Sequence, residues 1–169
     1  RDQIMLQEWQ DWLVQRDAAK PFFGFLFFDA TNAQQHPPGL ETDPEFQPEN
    51  EQELSLKFAN YRRSSRFVDG LLESVVAQLN TLGLADNTVV VITSDHGEEF
   101  DESGAGLRDH GSGYTRYQLQ VPLVIHWPGR ESKIFDHRSS HYDIVPTLMK
   151  NLLGCQNNPS DYSSGHDLF

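Results

Sequence analysis

The chain of 169 residues carries a single cysteine, Cys155. No disulfide can therefore close within it, and a zinc site built from several thiolates is excluded. Basic residues are scarce as well: 13 Lys and Arg stand against 25 Asp and Glu, for a formal net charge of −12. Nucleic-acid binding draws most of its affinity from clustered lysines and arginines, so nucleic acid is not expected as a partner; Arg62, Arg63 and Arg66 form the one basic cluster. Long apolar runs are missing too. The longest, residues 21–28, falls far short of the ~20 residues a membrane helix requires, and no signal-peptide pattern opens the chain. There is no internal repeat and no low-complexity tract. What remains is an ordinary globular composition, 37% hydrophobic and 11% aromatic. An amphipathic pattern is already under way at Arg1, which leads us to expect a portion of a longer protein, with any anchor or export signal upstream.

Met5, Trp9, Trp12 and Arg16, with Leu6 and Leu13 beside them, recur at helical spacing, and Lys20-Pro21 stops the pattern. The aromatic run 22–28 predicts a short strand buried on both faces. Residues 30–50, with prolines at 37, 38, 44 and 48, predict a long surface loop. Leu54, Phe58, Tyr61, Ser65, Val68, Leu72, Val75, Leu79 and Leu82 step by four and three, predicting an exterior helix with one buried stripe, ended by Gly83. The β-branched run 88–93 predicts a second strand, parallel to the first through a right-handed crossover. A third buried strand is expected over 121–127, closed by Pro128-Gly129, and a helix over 142–153 stopped by Gly154. The fold class is α/β: a layered sandwich with a central, mostly parallel sheet flanked by helices.

In such a sheet, ligands gather beyond the carboxyl ends of the strands. Ser94-Asp95-His96-Gly97-Glu98-Glu99 falls at that place. Asp95 offers a carboxylate and His96 an imidazole, and Gly97 lets the backbone turn so that both could converge on one cation. The dipeptide by itself fits equally well a turn-capping aspartate followed by an exposed histidine. The acidic run Glu98, Glu99, Asp101 and Glu102 matches no calcium-loop spacing and is expected to be solvated. Asp69, His141 and Asp143 are expected to serve as caps or hydrogen-bond anchors, and His126, among strand hydrophobes, to be structural.

The stretch from Leu84 to Glu98, ending Thr93-Ser94-Asp95-His96-Gly97-Glu98, resembles the metal-binding signature of sulfatases and related phosphotransferases of the alkaline-phosphatase superfamily. Three later blocks resemble that family in the same order: His110-Gly111 with Tyr117, then Val121-Pro122-Leu123 through Trp127-Pro128-Gly129, then Asp143-Ile144-Val145-Pro146-Thr147. Together the blocks cover most of residues 58–169, so the chain reads as the C-terminal portion of one sulfatase-like domain.

The resemblance implies that Asp95 and His96 bind a divalent cation (Mg, Mn, Zn or Ca), and that His110 approaches the oxygens of a phosphate or sulfate ester in a catalytic and substrate-binding role. It also offers His36 as a substrate-contacting histidine, although Thr31 and Asn32 compete for that place. The tail 158–169 and the stretch 112–122 are similar to the periplasmic domain of a group of Gram-negative inner-membrane proteins linked to lipopolysaccharide and outer-membrane lipid balance. That similarity implies an upstream half with a membrane anchor, and an anionic ester, in some cases a lipid, as the partner. The family's nucleophile belongs to that upstream half, and Cys155 lacks the context of a sulfatase nucleophile, so the chain alone is expected to be inactive. Two functions follow from the resemblance: a metal-dependent hydrolase or phosphotransferase, or a non-catalytic lipid-sensing and regulatory domain of the same fold.

Overall fold

In the computed structural model, which describes residues 1–169, the chain forms two units, Arg1–Arg130 and Glu131–Phe169. The first begins with α1, Asp2–Gln15. Its apolar residues at positions 6, 9 and 13 share one face. Leu6 and Leu13 are buried there, and the Asp2 carboxylate, also buried, accepts a hydrogen bond from the Ala30 amide at 2.8 Å.

The long helix α2, Glu53–Thr81, runs against α1, and Gln78 Nε2 donates to the Gln10 carbonyl at 3.0 Å. It ends as its sequence predicts. Gly83 adopts φ +66°, and the amides of Gly83 and Leu84 donate back to the carbonyls of Asn80 (3.0 Å) and Leu79 (2.8 Å), which closes the last turn. Leu71, Val75 and Leu79 join Leu6 and Leu13 in the core, with Trp9, Phe22, Leu26, Phe28, Phe67 and Val90 packed around them. The buried line of α2 is rotated from the expected one. It steps by four through Ala59, Arg63, Phe67, Leu71, Val75 and Leu79, whereas Phe58 and Leu82 are exposed.

Residues 22–28 form no strand, which corrects the expectation of a strand buried on both faces. A strand exists only with a partner for its amides and carbonyls, and here the segment is held by side chains instead. Phe22, Leu26 and Phe28 face the α1–α2 core, and the Trp9 ring lies over Gly24, where a Cβ would stand 2.6 Å from it. Phe23 and Phe25 are 83% and 78% exposed.

The strand β1, Val90–Thr93, consequently has no parallel neighbour in this chain. It pairs antiparallel with β4, Leu123–His126, in the register Val90↔His126 to Thr93↔Leu123. Residues of β4 alternate between half-buried and exposed, so the expected strand over 121–127 is shorter than read and covered on one face only. Between them lie β2, Glu99–Phe100, and β3, Arg108–Asp109, also antiparallel, followed by the single-turn helix α3, Arg116–Leu119. Phe100 packs against the rings of Phe58 and Tyr61 of α2, at 5.1 and 5.3 Å between centroids, which fixes β2 on that helix.

The second unit is built around α4, Ile144–Asn151, entered through a 3-10 turn, His141–Asp143. Ser140 and Asp143 form a reciprocal capping box. The other Asp143 oxygen accepts from the His166 amide at 2.7 Å, and Thr147 Oγ1 accepts from the Leu168 amide at 2.9 Å, tying the tail to the helix start. Asp143 is thus the anchor its sequence position suggests. No helix of either unit is long and apolar enough to cross a membrane.

Candidate metal centre

Strand β1 runs out at Thr93, whose hydroxyl donates to the Pro122 carbonyl at 2.9 Å, and the chain then turns sharply. Ser94 Oγ donates to the His96 carbonyl at 2.7 Å, and the Gly97 amide donates to the Gln118 carbonyl at 2.8 Å. These bonds fix the backbone on both sides of His96.

The β2–β3 register sets Glu99 against Asp109, and extending that ladder by one residue sets Glu98 opposite His110. Glu98 Oε2 and His110 Nδ1 are 3.0 Å apart. The rings of His96 and His110 stack, with centroids 4.1 Å apart and planes inclined by 27°. His96, Glu98 and His110 each offer one ligand atom, all within 4.8 Å of one another. Asp95 Oδ1 lies 3.9 Å from His96 Nε2 and accepts from the His96 amide at 3.1 Å.

The hydrogen bonds decide which nitrogens are free. His96 Nδ1 is 2.9 Å from the Gly97 carbonyl. A carbonyl oxygen can only accept, so Nδ1 is the donor and Nε2 is the ring nitrogen left to ligate a metal, the arrangement a metal-ligating imidazole needs. Two ligands of one ion, bound at about 2.0–2.2 Å each, lie no more than about 4.4 Å apart, so the separation of Nε2 from Asp95 Oδ1 suits a shared cation. One imidazole nitrogen with carboxylate oxygen is a donor set for Zn, Mn or Mg rather than for a thiophilic ion. By the same reasoning, Nδ1 of His110 donates to the Glu98 carboxylate.

Glu98 is the residue that sequence reasoning missed. The acidic run was expected to be solvated, yet Glu98 is half-buried and Glu99 fully buried. Burial alone would raise the Glu99 carboxyl. Hydrogen bonds from Ser103, Thr115 and Gln118 outweigh it and hold the group below the ordinary glutamate range. The neighbouring Tyr61 phenol is pushed up, chiefly by burial and then by the negative charge of Glu98. The signal that could have identified Glu98 is period two: counted from Phe100, which faces α2, Glu98 shares its side of an extended segment.

His36 lines a separate shallow cavity of about 200 Å³ with Arg1, Asp2, Asp29 and Phe67. Its Nδ1 is 3.2 Å from the Pro37 carbonyl and 3.6 Å from Glu41. The structure groups it with none of His96, Glu98 and His110.

The sulfatase family model matches residues 1–154. The chain belongs to the sulfatase family. Relatives of this sulfatase-family chain include the inner membrane protein YejM of Salmonella typhimurium, 29% identical over 96% of the chain and 24% of the relative. Lipoteichoic acid synthase 1 of Bacillus subtilis is 29% identical over 59% of the chain and 18% of the relative. A solved structure from work on glycosaminoglycan metabolism by Bacteroides thetaiotaomicron superposes with a TM-score of 0.66 at 21% identity, covering 98% of the chain and 37% of that structure. The sulfatase-like fold is therefore shared, and the chain spans about a quarter of the length of the YejM relative.

Proposed function

We propose that the chain is the C-terminal portion of a sulfatase-like domain, residues 1–169, in a bacterial inner-membrane protein whose domain faces the periplasm, and that it takes part in metal-dependent hydrolysis or transfer of a phosphate or sulfate ester. The family match and the likeness to YejM support the context. The observation that carries the chemistry is the placement of the His96 ring: with Nδ1 committed to the Gly97 carbonyl, Nε2 stands 3.9 Å from Asp95 Oδ1.

In this reading Asp95 and His96 hold a divalent cation. Such an ion, when bound, polarises an ester oxygen and stabilises an attacking oxyanion. The chain's own residues do the rest. His110, stacked on His96, presents Nε2 to the ester oxygens, and that nitrogen can move a proton to or from the leaving oxygen. Glu98 keeps the ring oriented and supports the positive charge it acquires. Completion of a central, mostly parallel sheet around β1 belongs to the same proposal. So does a contact between His36 and the substrate.

Calorimetric titration with Mn²⁺ or Zn²⁺ tests the site. The wild type is expected to bind, and the double variant Asp95→Ala, His96→Ala to lose binding; equal affinity in the two proteins refutes the assignment. Assay of the full-length protein with p-nitrophenyl phosphate and p-nitrophenyl sulfate then separates the enzyme, which turns one of them over, from a regulatory domain linked to lipopolysaccharide balance, which binds the cation and turns over neither.

A further inference from the structure

The side chain buried most completely beside this site has no partner of opposite charge. Glu99 is 0% exposed. One of its oxygens accepts from the Ser103 hydroxyl; the other accepts from Thr115 Oγ1 at 2.5 Å and from Gln118 Nε2 at 2.7 Å. All three donors are neutral. A carboxylate kept ionised away from water without a cation is costly unless its lone pairs are filled by hydrogen bonds. Stability alone does not call for one here.

What a carboxylate does, and an amide cannot, is accept at both oxygens from several donors at once. Ser103 lies four residues after Glu99, whereas Thr115 and Gln118 lie 16 and 19 residues after it. The bonds therefore clamp the two ends of one loop. Gln118 extends the clamp: its Nε2 also donates to Ser112 Oγ at 2.9 Å, its Oε1 accepts from the Gly113 amide at 3.1 Å, and its carbonyl accepts from the Gly97 amide at 2.8 Å. His110 sits inside the clamped span, two residues before Ser112. His96 sits one residue before Gly97. A single buried carboxylate thus reaches both backbone segments whose rings stack at 4.1 Å.

We infer that Glu99 is the positioning residue of the centre: acting through Gln118, it holds the loop 103–115 so that His110 and Glu98 stay in place against His96. The cation-affinity arm of the test rests on the reading of Asp95 and His96 given above; the loop and ring-contact arms do not.

The test replaces Glu99 by its amide, Glu99→Gln, in the full-length protein. The substitution preserves shape and places an NH₂ where an acceptor is required. Hydrogen-exchange mass spectrometry is expected to show faster exchange across 103–115, by about tenfold for an opened hydrogen-bonded loop. The nuclear Overhauser contact between the His96 and His110 rings is expected to vanish, and Mn²⁺ affinity to fall by about tenfold or more, the usual effect of losing an outer-shell partner. Glu99→Gln combined with Gln118→Glu returns a carboxylate to the hub and is expected to recover part of all three. Unchanged exchange and an intact ring contact in a folded Glu99→Gln protein would overturn the inference. Should that variant not fold, Ser103→Ala and Thr115→Val each remove one donor, and absence of faster exchange in 103–115 in both overturns it equally. A wild type that binds no Mn²⁺ defeats the cation reading and leaves the loop and ring-contact arms standing.

Discussion

Gly97 and Tyr117 meet backbone to backbone: a Cβ on Gly97 would fall 2.1 Å from the Tyr117 carbonyl oxygen. Since the clashing atom belongs to main chain, no side-chain rotation relieves it. Gly97→Ala must push residue 97 away from 117 and break the hydrogen bond that the Gly97 amide donates to the Gln118 carbonyl. The expected cost is about 3 kcal/mol, at the upper end of overpacking effects. Thermal unfolding should fall by roughly 2–4 °C per kcal/mol for a chain of this size, and cation affinity should fall with it, because His96 moves with its neighbour. A melting temperature within a degree of wild type would show that the approach is looser than described.

Glu98 and Tyr61 offer a spectroscopic check on the buried acidic run. The Tyr61 phenol is raised first by burial and then by the nearby charges of Glu98 and Glu102. A negative neighbour disfavours the phenolate, so removing it makes ionisation easier. Glu98→Gln is therefore expected to shift Tyr61 to lower pH. The phenolate absorbance, read as the difference between each protein and its Tyr61→Phe counterpart, measures it. A solvated Glu98 would leave the titration where it was.

Local periodicity made the helices legible, and pairing made the strands illegible. The pattern of α2 and its stop at Gly83 follow from residues close in sequence, and the structure keeps both. The buried face differs because contact with α1 and residues 22–28 selects a line stepping by four, and that line takes in Arg63, which composition would place outside. Residues 22–28 read as a doubly buried strand because aromatic content records apolarity and says nothing about a partner. The candidate site was legible only in part. The family motif points to Asp95, His96 and His110, whereas Glu98 and Glu99 looked like a solvated charge run until the β2–β3 register set one opposite His110 and Ser103, Thr115 and Gln118 closed around the other.

The helix α2 supplies a control pair for the core. Leu79 is 3% exposed and packs among Leu6, Leu13, Leu71 and Val75, whereas Val76, three residues earlier, is 42% exposed. Leu79→Ala leaves a cavity and is expected to cost about 2–5 kcal/mol. Val76→Ala should change stability by no more than about 0.5 kcal/mol. Denaturant unfolding of the two variants side by side decides it; a small effect at Leu79 would mean that the α1–α2 core is not what holds this unit together.

Acid sensitivity of the second unit depends on Asp143. Burial would raise its carboxyl, but the amides of His166 and Ser140, the Ser140 hydroxyl and the charge of His166 outweigh that and leave it below the ordinary aspartate value. The unfolded chain, with an aspartate near pKa ~3.9, then takes up the proton before the folded one as pH falls. The stabilisation is accordingly present in full above about pH 4–5 and is lost as pH drops through the lowered native value. Asp143→Asn should cost about 1–2 kcal/mol at pH 7, as the loss of a capping group does, and should flatten the dependence of stability on pH between roughly 5 and 3. Hydrogen exchange of the segment 140–169 at the two ends of that range, in wild type and variant, gives the comparison. An equal loss of protection on acidification in both proteins would assign the acid sensitivity to another carboxylate, with Asp167, held by Lys150 and Asn151, the next to replace.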